Sequence, residues 1–188
     1  RSTEKPINEE LRQKISLFCN VPLEGVVEEI DVEHSIYEVP LMLQREKMDE
    51  LVCQELGLET QAADMSEWEA VIQRIIKPQY QVRIGVIGKY IHLQDAYKSV
   101  YEAVTHAGGA NDCAIEIVRV DSEDIERDGA AAHLAEMDGI LVPGGFGERG
   151  VEGKVLAAQY ARENNVPYLG LCLGMQIACI EFARHALG

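Results

Sequence analysis

The residues best suited to chemistry are Gly170-Leu171-Cys172-Leu173-Gly174, a cysteine with a glycine two positions away on each side. An apolar run from Tyr168 to Leu171 precedes the cysteine, and a run of helical character begins at Leu173. Strand, sharp turn, helix is the setting of a nucleophile elbow, here in its cysteine form. The chain must reverse so tightly that the flanking positions have no room for side chains, and the turn pushes the sulfur outward. The helix aims its amino end at that sulfur and favours an anion there. The Leu173 amide is then set to donate to a developing oxyanion. An isolated cysteine at a helix start is ordinarily a structural thiol; the two glycines and the strand-turn-helix setting favour a nucleophile for acyl transfer. A second signal is Val142-Pro143-Gly144-Gly145-Phe146-Gly147. A glycine-rich turn after a strand bares backbone amides, and the Gly145 amide is the expected second oxyanion donor.

The elements that must position these residues follow from the apolar pattern. From Val82 onward short apolar runs alternate with helical stretches: strands at 82–88, 114–120, 139–142 and 168–171, helices at 97–107, 130–136, 151–164 and from 173. Strand and helix in alternation predict an α/β fold with a doubly wound, flavodoxin-like parallel sheet, whose ligands gather at the carboxyl ends of the strands. Gly108-Gly109 is expected to end the second-unit helix that starts at Tyr97. The front of the chain reads differently. It is mostly helical, with an apolar face of Leu11, Ile15 and Phe18 on the first helix and a strand candidate at Val26-Val27, ending at Ile30. Ser66 with Glu69 three residues on predicts a capping box opening a helix that Pro78 stops. The expected division is residues 1–77, a linker at 78–81, and a second domain at 82–188.

Bulk properties narrow the function. A formal net charge of −15 argues against a duplex nucleic-acid binder, which needs a basic face. No apolar run approaches the roughly 20 residues that span a bilayer, and no secretory leader is expected. Five widely spaced cysteines without a C-x-x-C pair suggest a reducing, cytoplasmic setting with mostly buried thiols; Cys179, seven residues beyond Cys172, is expected to be a small core thiol.

Longer stretches carry a resemblance. Pro143-Gly144-Gly145-Phe146-Gly147, Arg149-Gly150-Val151-Glu152-Gly153 and the run from Asn165 to Gln176 resemble a class I glutamine amidotransferase domain. Gly88-Lys89-Tyr90 and Asp95-Ala96-Tyr97-Lys98-Ser99-Val100 narrow the likeness to the CTP synthase family. Leu17-Phe18-Cys19-Asn20-Val21-Pro22 and Ser35-Ile36-Tyr37-Glu38-Val39-Pro40 are similar to the end of that family's synthase domain, an α/β domain of which residues 1–77 would be the mostly helical tail.

The resemblance implies an enzyme that aminates UTP to CTP, using ATP with Mg2+ and ammonia released from glutamine, with GTP as allosteric activator and a homotetrameric assembly. It implies Cys172 as nucleophile, Gly145 and Leu173 as oxyanion donors, and Gly144, Phe146 and Gln176 as glutamine-binding residues. It further implies Lys14 at the UTP or CTP site, Arg1, Asp31 and Val32 at the ATP site, and Lys89, Tyr90, Lys98 and Arg149 near a GTP-responsive lid. No metal ligand is expected within these residues, and no nucleic-acid or membrane partner. The family's glutaminase also needs a histidine and a glutamate well after the cysteine, so the chain reads as an internal fragment that turns over no glutamine alone. Two alternatives stay open: another cysteine-elbow hydrolase on a flavodoxin-like sheet, and a degenerate glutaminase-like regulatory module.

Overall fold

The computed structural model describes residues 2–3 and 6–187, which fall into two compact units meeting at Lys77 and Pro78. Arg1 lies outside the described residues.

The first unit contains β1 (Ser2–Thr3), α1 (Glu9–Cys19), β2 (Glu29–Ile30), α2 (Val39–Arg45), α3 (Met48–Glu55) and α4 (Ser66–Ile76). Strand β1 pairs parallel with β2, Ser2 opposite Glu29. Asn8 starts α1 by accepting the Leu11 amide at 2.9 Å, and Asn20 ends it in the left-handed conformation. Three sequence expectations are corrected here. Pairing begins at Glu29, not at Val26-Val27, because the chain from Leu23 to Gly25 closes a 3-10 turn first. Phe18 is 85% exposed and does not join Leu11 and Ile15. Ser66 is the first residue of α4 and does not cap it; the reciprocal capping box forms instead at Ser35 and Glu38. Trp68 is half-buried, its indole donating to the Tyr37 carbonyl at 2.9 Å.

The second unit holds β3 (Tyr80–Gly88), α5 (Lys98–Ala110), β4 (Cys113–Asp121), α6 (Ser122–Asp128), α7 (Ala130–Leu134), β5 (Gly139–Val142), α8 (Val151–Glu163), β6 (Tyr168–Gly170) and α9 (Leu173–His185). The four strands form one parallel sheet in the order β4-β3-β5-β6. Successive strand residues face opposite sides. Ile87, Val120, Ile140 and Val142 pack with Ile125, Leu134, Ala157 and Ala161 on one face, while Val86 and Leu141 meet Tyr97 and Tyr101 of the α5 side on the other. The order reverses between β3 and β5, so the crevice at their carboxyl ends is the topological switch point. Gly88 and Val142 end at that crevice, and the Lys89 and Pro143 loops leave from it.

Here too the chain differs from expectation. Tyr80 and Gln81 belong to β3, because the Tyr80 amide finds an acceptor in the Asp112 carbonyl beside the start of β4. Gly108 and Gly109 lie buried inside α5. A side chain at Gly108 would put its Cβ 2.7 Å from the Cys113 carbonyl oxygen, so glycine serves close helix-sheet packing there and not helix termination. Helix α6 has no counterpart in the apolar pattern; its signal is Asp121, whose carboxylate caps it through the Glu123 amide at 2.9 Å.

Candidate active site

Cys172 follows β6 directly and stands at the N-cap of α9 with φ 52° and ψ −105°. A non-glycine residue at positive φ is held there only when its surroundings fix it, at a cost of about 1–3 kcal/mol. The surroundings are visible. A Cβ on Gly170 would lie 2.3 Å from the Gly174 carbonyl carbon, and one on Gly174 would lie 2.0 Å from the Val142 carbonyl oxygen. The Leu171 amide donates to that same Val142 oxygen at 2.9 Å, tying the elbow to the end of β5. The Gly174 amide closes the turn on the Leu171 carbonyl at 2.9 Å, and the Met175 amide on the Cys172 carbonyl at 3.1 Å. The sulfur-bearing residue is left exposed to solvent.

The glycine-rich turn comes to meet it. A Cβ on Gly144 would sit 3.5 Å from Cys172 Cβ, and one on Gly145 would sit 3.7 Å from Leu173 Cδ2. Five of the expected site residues, Cys172, Gly144, Gly145, Leu173 and Gln176, are therefore brought into one neighbourhood, Gln176 through its amide on the Cys172 carbonyl at 3.3 Å. The Leu173 amide is the first of α9, where helix amides lack intrahelical acceptors and point at an incoming anion. Phe146 stands at the rim, 87% exposed.

Residues 92–187 match the family model of class-I glutamine amidotransferases. The chain belongs to the class-I glutamine amidotransferase family. Residues 1–58 match the model of the CTP synthase N-terminus. The CTP synthase of Streptococcus sanguinis is 51% identical over 99% of this chain and 34% of its own length; that of Streptococcus pneumoniae is 50% identical over 99% of this chain and 35% of its own. Among solved structures, the glutaminase domain of Trypanosoma brucei CTPS with bound acivicin is 48% identical, with a TM-score of 0.53 over 57% of this chain and 42% of that one. The chain spans about a third of the length of the curated relatives it matches, 34% of the first.

The amidotransferase elbow has a second layer of support. Tyr168 donates its hydroxyl to the Gly174 carbonyl at 2.8 Å, and burial pushes that phenol upward from its ordinary value. Tyr168→Phe should lower stability by about 1 kcal/mol, the usual worth of one such bond, read as a shift in the urea midpoint. An unchanged midpoint would mean that the Gly174 carbonyl needs no donor beyond the helix.

Of the four residues expected near a lid, three cluster. Lys89 Nζ lies 5.2 Å from the Tyr90 ring centroid and Arg149 Cζ 6.0 Å from it. Arg149 also donates to the Lys89 carbonyl at 3.0 Å and pairs with Glu123 at 2.8 Å. Lys98 is exposed at the start of α5. In the first unit Lys14 is a solvent-facing charge on α1, paired with Glu10, and Asp31 and Val32 follow β2. His92 is 87% exposed with Nε2 3.9 Å from Asp121, and His185 closes α9, 13 residues from Cys172, which is roughly 20 Å along a helix.

The cysteine expectations need correction. Among the five thiols none is buried: Cys19, Cys172 and Cys179 are exposed, and Cys53 and Cys113 are partly so. Cys179 is off the buried line of α9, which runs through Gly174, Ile177 and Glu181. Glu181 stays on that line because Arg162 grips it at 2.8 Å. One buried group escaped the sequence reading. Lys154, 1% exposed in the first turn of α8, shares a stripe with Ala157, Ala158 and Ala161. A lysine on an otherwise apolar stripe was the available signal. Burial lowers its proton affinity, as do Lys89 and Arg149, while Asp121 and Glu126 partly restore it.

Proposed function

We propose that this chain carries the nucleophilic part of the glutaminase centre of a CTP synthase, joined to the end of the synthase domain at residues 1–77. The observation that carries the reading is the approach of Gly144 to Cys172 and of Gly145 to Leu173, which supports the backbone of the glycine-rich turn as a source of amide donors for chemistry at the exposed cysteine. Such donors suit attack on a carboxamide. The Cys172 thiolate bonds to the side-chain carbonyl carbon of glutamine, and the oxygen takes the negative charge between the Gly145 and Leu173 amides. The C–N bond breaks as the nitrogen takes a proton and leaves as ammonia; water then hydrolyses the thioester to glutamate. Gly144, Phe146 and Gln176 would hold the substrate. The proton transfers need a histidine beside the sulfur; His185, 13 residues along α9 and so roughly 20 Å away, does not reach it. The solved relative is a glutaminase domain with bound acivicin, which supports reading the second unit as part of a ligand-binding glutaminase domain.

The ammonia would displace an activated oxygen of UTP, with ATP as the energy source. Lys14, Arg1, Asp31 and Val32 are the residues proposed to touch the nucleotides. The Mg2+ would accompany ATP; among the described residues no group of three or more His, Cys, Asp and Glu is arranged to hold a metal ion. GTP activation through Lys89, Tyr90, Lys98 and Arg149, and homotetramer formation, belong to the same proposal. No helix among the described residues is long and apolar enough to cross a membrane, and five unpaired thiols suit a cytoplasmic enzyme.

In an enzyme carrying this chain, Lys14→Ala should raise the KM for UTP about tenfold and leave glutamine hydrolysis competent at saturating nucleotide, since a lysine serves a triphosphate as a point charge. Unchanged UTP kinetics would assign Lys14 to its Glu10 pair on the solvated face of α1.

A further inference from the structure

The turn presenting Gly145 has little stiffness of its own. Gly144, Gly145 and Gly147 surround a single phenylalanine, and Gly147 stands at φ 81°. Glycine-rich backbone samples many conformations, whereas an oxyanion donor works only when its direction is fixed beforehand. Something must hold this turn, and the exposed Phe146 side chain does not.

Lys89 does. It is the first residue after β3 and is only 6% exposed. Its ammonium donates to the carbonyl oxygen of Phe146. Its stem follows the turn: Cε lies 3.9 Å from a Cβ built on Gly145, and Nζ lies 3.6 Å from one built on Gly147. The lysine itself is fixed from behind, because Arg149 donates to its carbonyl at 3.0 Å and Arg149 is tied to Glu123 at 2.8 Å. Lys154 is a second buried lysine whose charge would repel that of Lys89, an effect that Asp121 and Glu126 oppose in part. The turn is thus bridged to the neighbouring strand end across the switch point of the sheet. A buried ammonium is stable only with acceptors, so the bond to Phe146 serves both partners.

We propose that Lys89 is a positioning residue of the glutaminase step: by clamping the Phe146 carbonyl it holds the glycine-rich turn so that the Gly145 amide faces the oxyanion formed at Cys172. This rests on the reading of Cys172 as the glutaminase nucleophile. A displacement of an ångström in such a donor costs about a hundredfold in rate.

The test is steady-state glutamine hydrolysis by the full-length enzyme with Lys89→Met, Lys89→Gln and Lys89→Arg, beside alkylation of Cys172 by iodoacetamide, which needs no oxyanion hole. Lys89→Met should lower kcat by about thirty- to a hundredfold with KM within about threefold, at an unchanged alkylation rate. Lys89→Gln, a milder change with a shorter donor, should give the same split at smaller magnitude, and Lys89→Arg should recover much of the loss. Wild-type kcat in Lys89→Met or Lys89→Gln overturns the proposal, as does a loss confined to KM. Alkylation falling in step with kcat overturns it too, since the lysine would then support the whole centre. Cys172→Ala run in parallel separates the two levels: turnover surviving that change sinks the glutaminase reading itself, whereas turnover lost there and retained in Lys89→Met sinks only the role of Lys89.

Discussion

On the proposed function, Cys172→Ala should abolish glutamine-dependent CTP formation in an enzyme carrying this chain, by about 10⁴-fold or more, and leave ammonia-dependent formation within about twofold. The first half of that expectation follows from the elbow. Of the five cysteines, Cys172 is the one held at positive φ at a helix amino end, and it is exposed. The second half follows from the division of labour: ammonia supplied from solution bypasses the thioester. Both activities are read from the same preparation by following CTP absorbance with either nitrogen source. Equal loss of the two would mean that Cys172 serves the fold or a shared step.

Gly174→Ala should destabilise the second unit by about 3 kcal/mol and take glutamine hydrolysis with it. The sign is the reverse of helix propensity, which favours alanine over glycine by about 1 kcal/mol in a helix interior. Here the new Cβ would lie 2.0 Å from the Val142 carbonyl oxygen, a backbone atom of a buried strand that cannot step aside. Either α9 lifts off the sheet or β5 shifts, and both move Cys172 away from Gly144. Gly144→Ala supplies the contrast. Its Cβ would stand 3.5 Å from Cys172 Cβ, an ordinary contact, so stability should hold within about 1 kcal/mol while substrate access to the sulfur suffers. Thermal melts beside turnover separate the two. A Gly174→Ala protein melting with the wild type would contradict the close approach on which the elbow depends.

The elbow was legible in the sequence because sterics dictate it. Gly170 and Gly174 have backbone where a side chain would go, so the spacing is a direct imprint of the turn. The parallel sheet was legible for a similar reason, since short apolar runs separated by helical stretches leave few other arrangements. What stayed hidden are features set by partners distant in sequence. Gly108-Gly109 carries the signature of a helix end, yet β4 packs so close that the glycines sit inside α5. Ser66 and Glu69 have capping-box spacing, but Asp64 already accepts the Ser66 amide at 3.0 Å and the helix begins there. Cys179 looked like a core residue because α9 is apolar nearly all round, and only the packing against α8 and β6 reveals that Ile177 and Glu181 form its inner line. Lys89, expected only near a lid, and Lys154, which no motif singles out, are buried because the fold closes over them.

On the proposed function, Cys172 forms the covalent bond to the glutamine carbonyl carbon. The most direct measurement is intact-mass and peptide mapping of the enzyme after brief exposure to a glutamine-mimicking alkylating agent at low molar excess, with and without competing glutamine. A single adduct is expected on the peptide containing Cys172, slowed by glutamine, with Cys19, Cys53, Cys113 and Cys179 unmodified although Cys19 and Cys179 are also exposed. Labelling spread over the exposed cysteines, or labelling of Cys172 that glutamine does not slow, would contradict it.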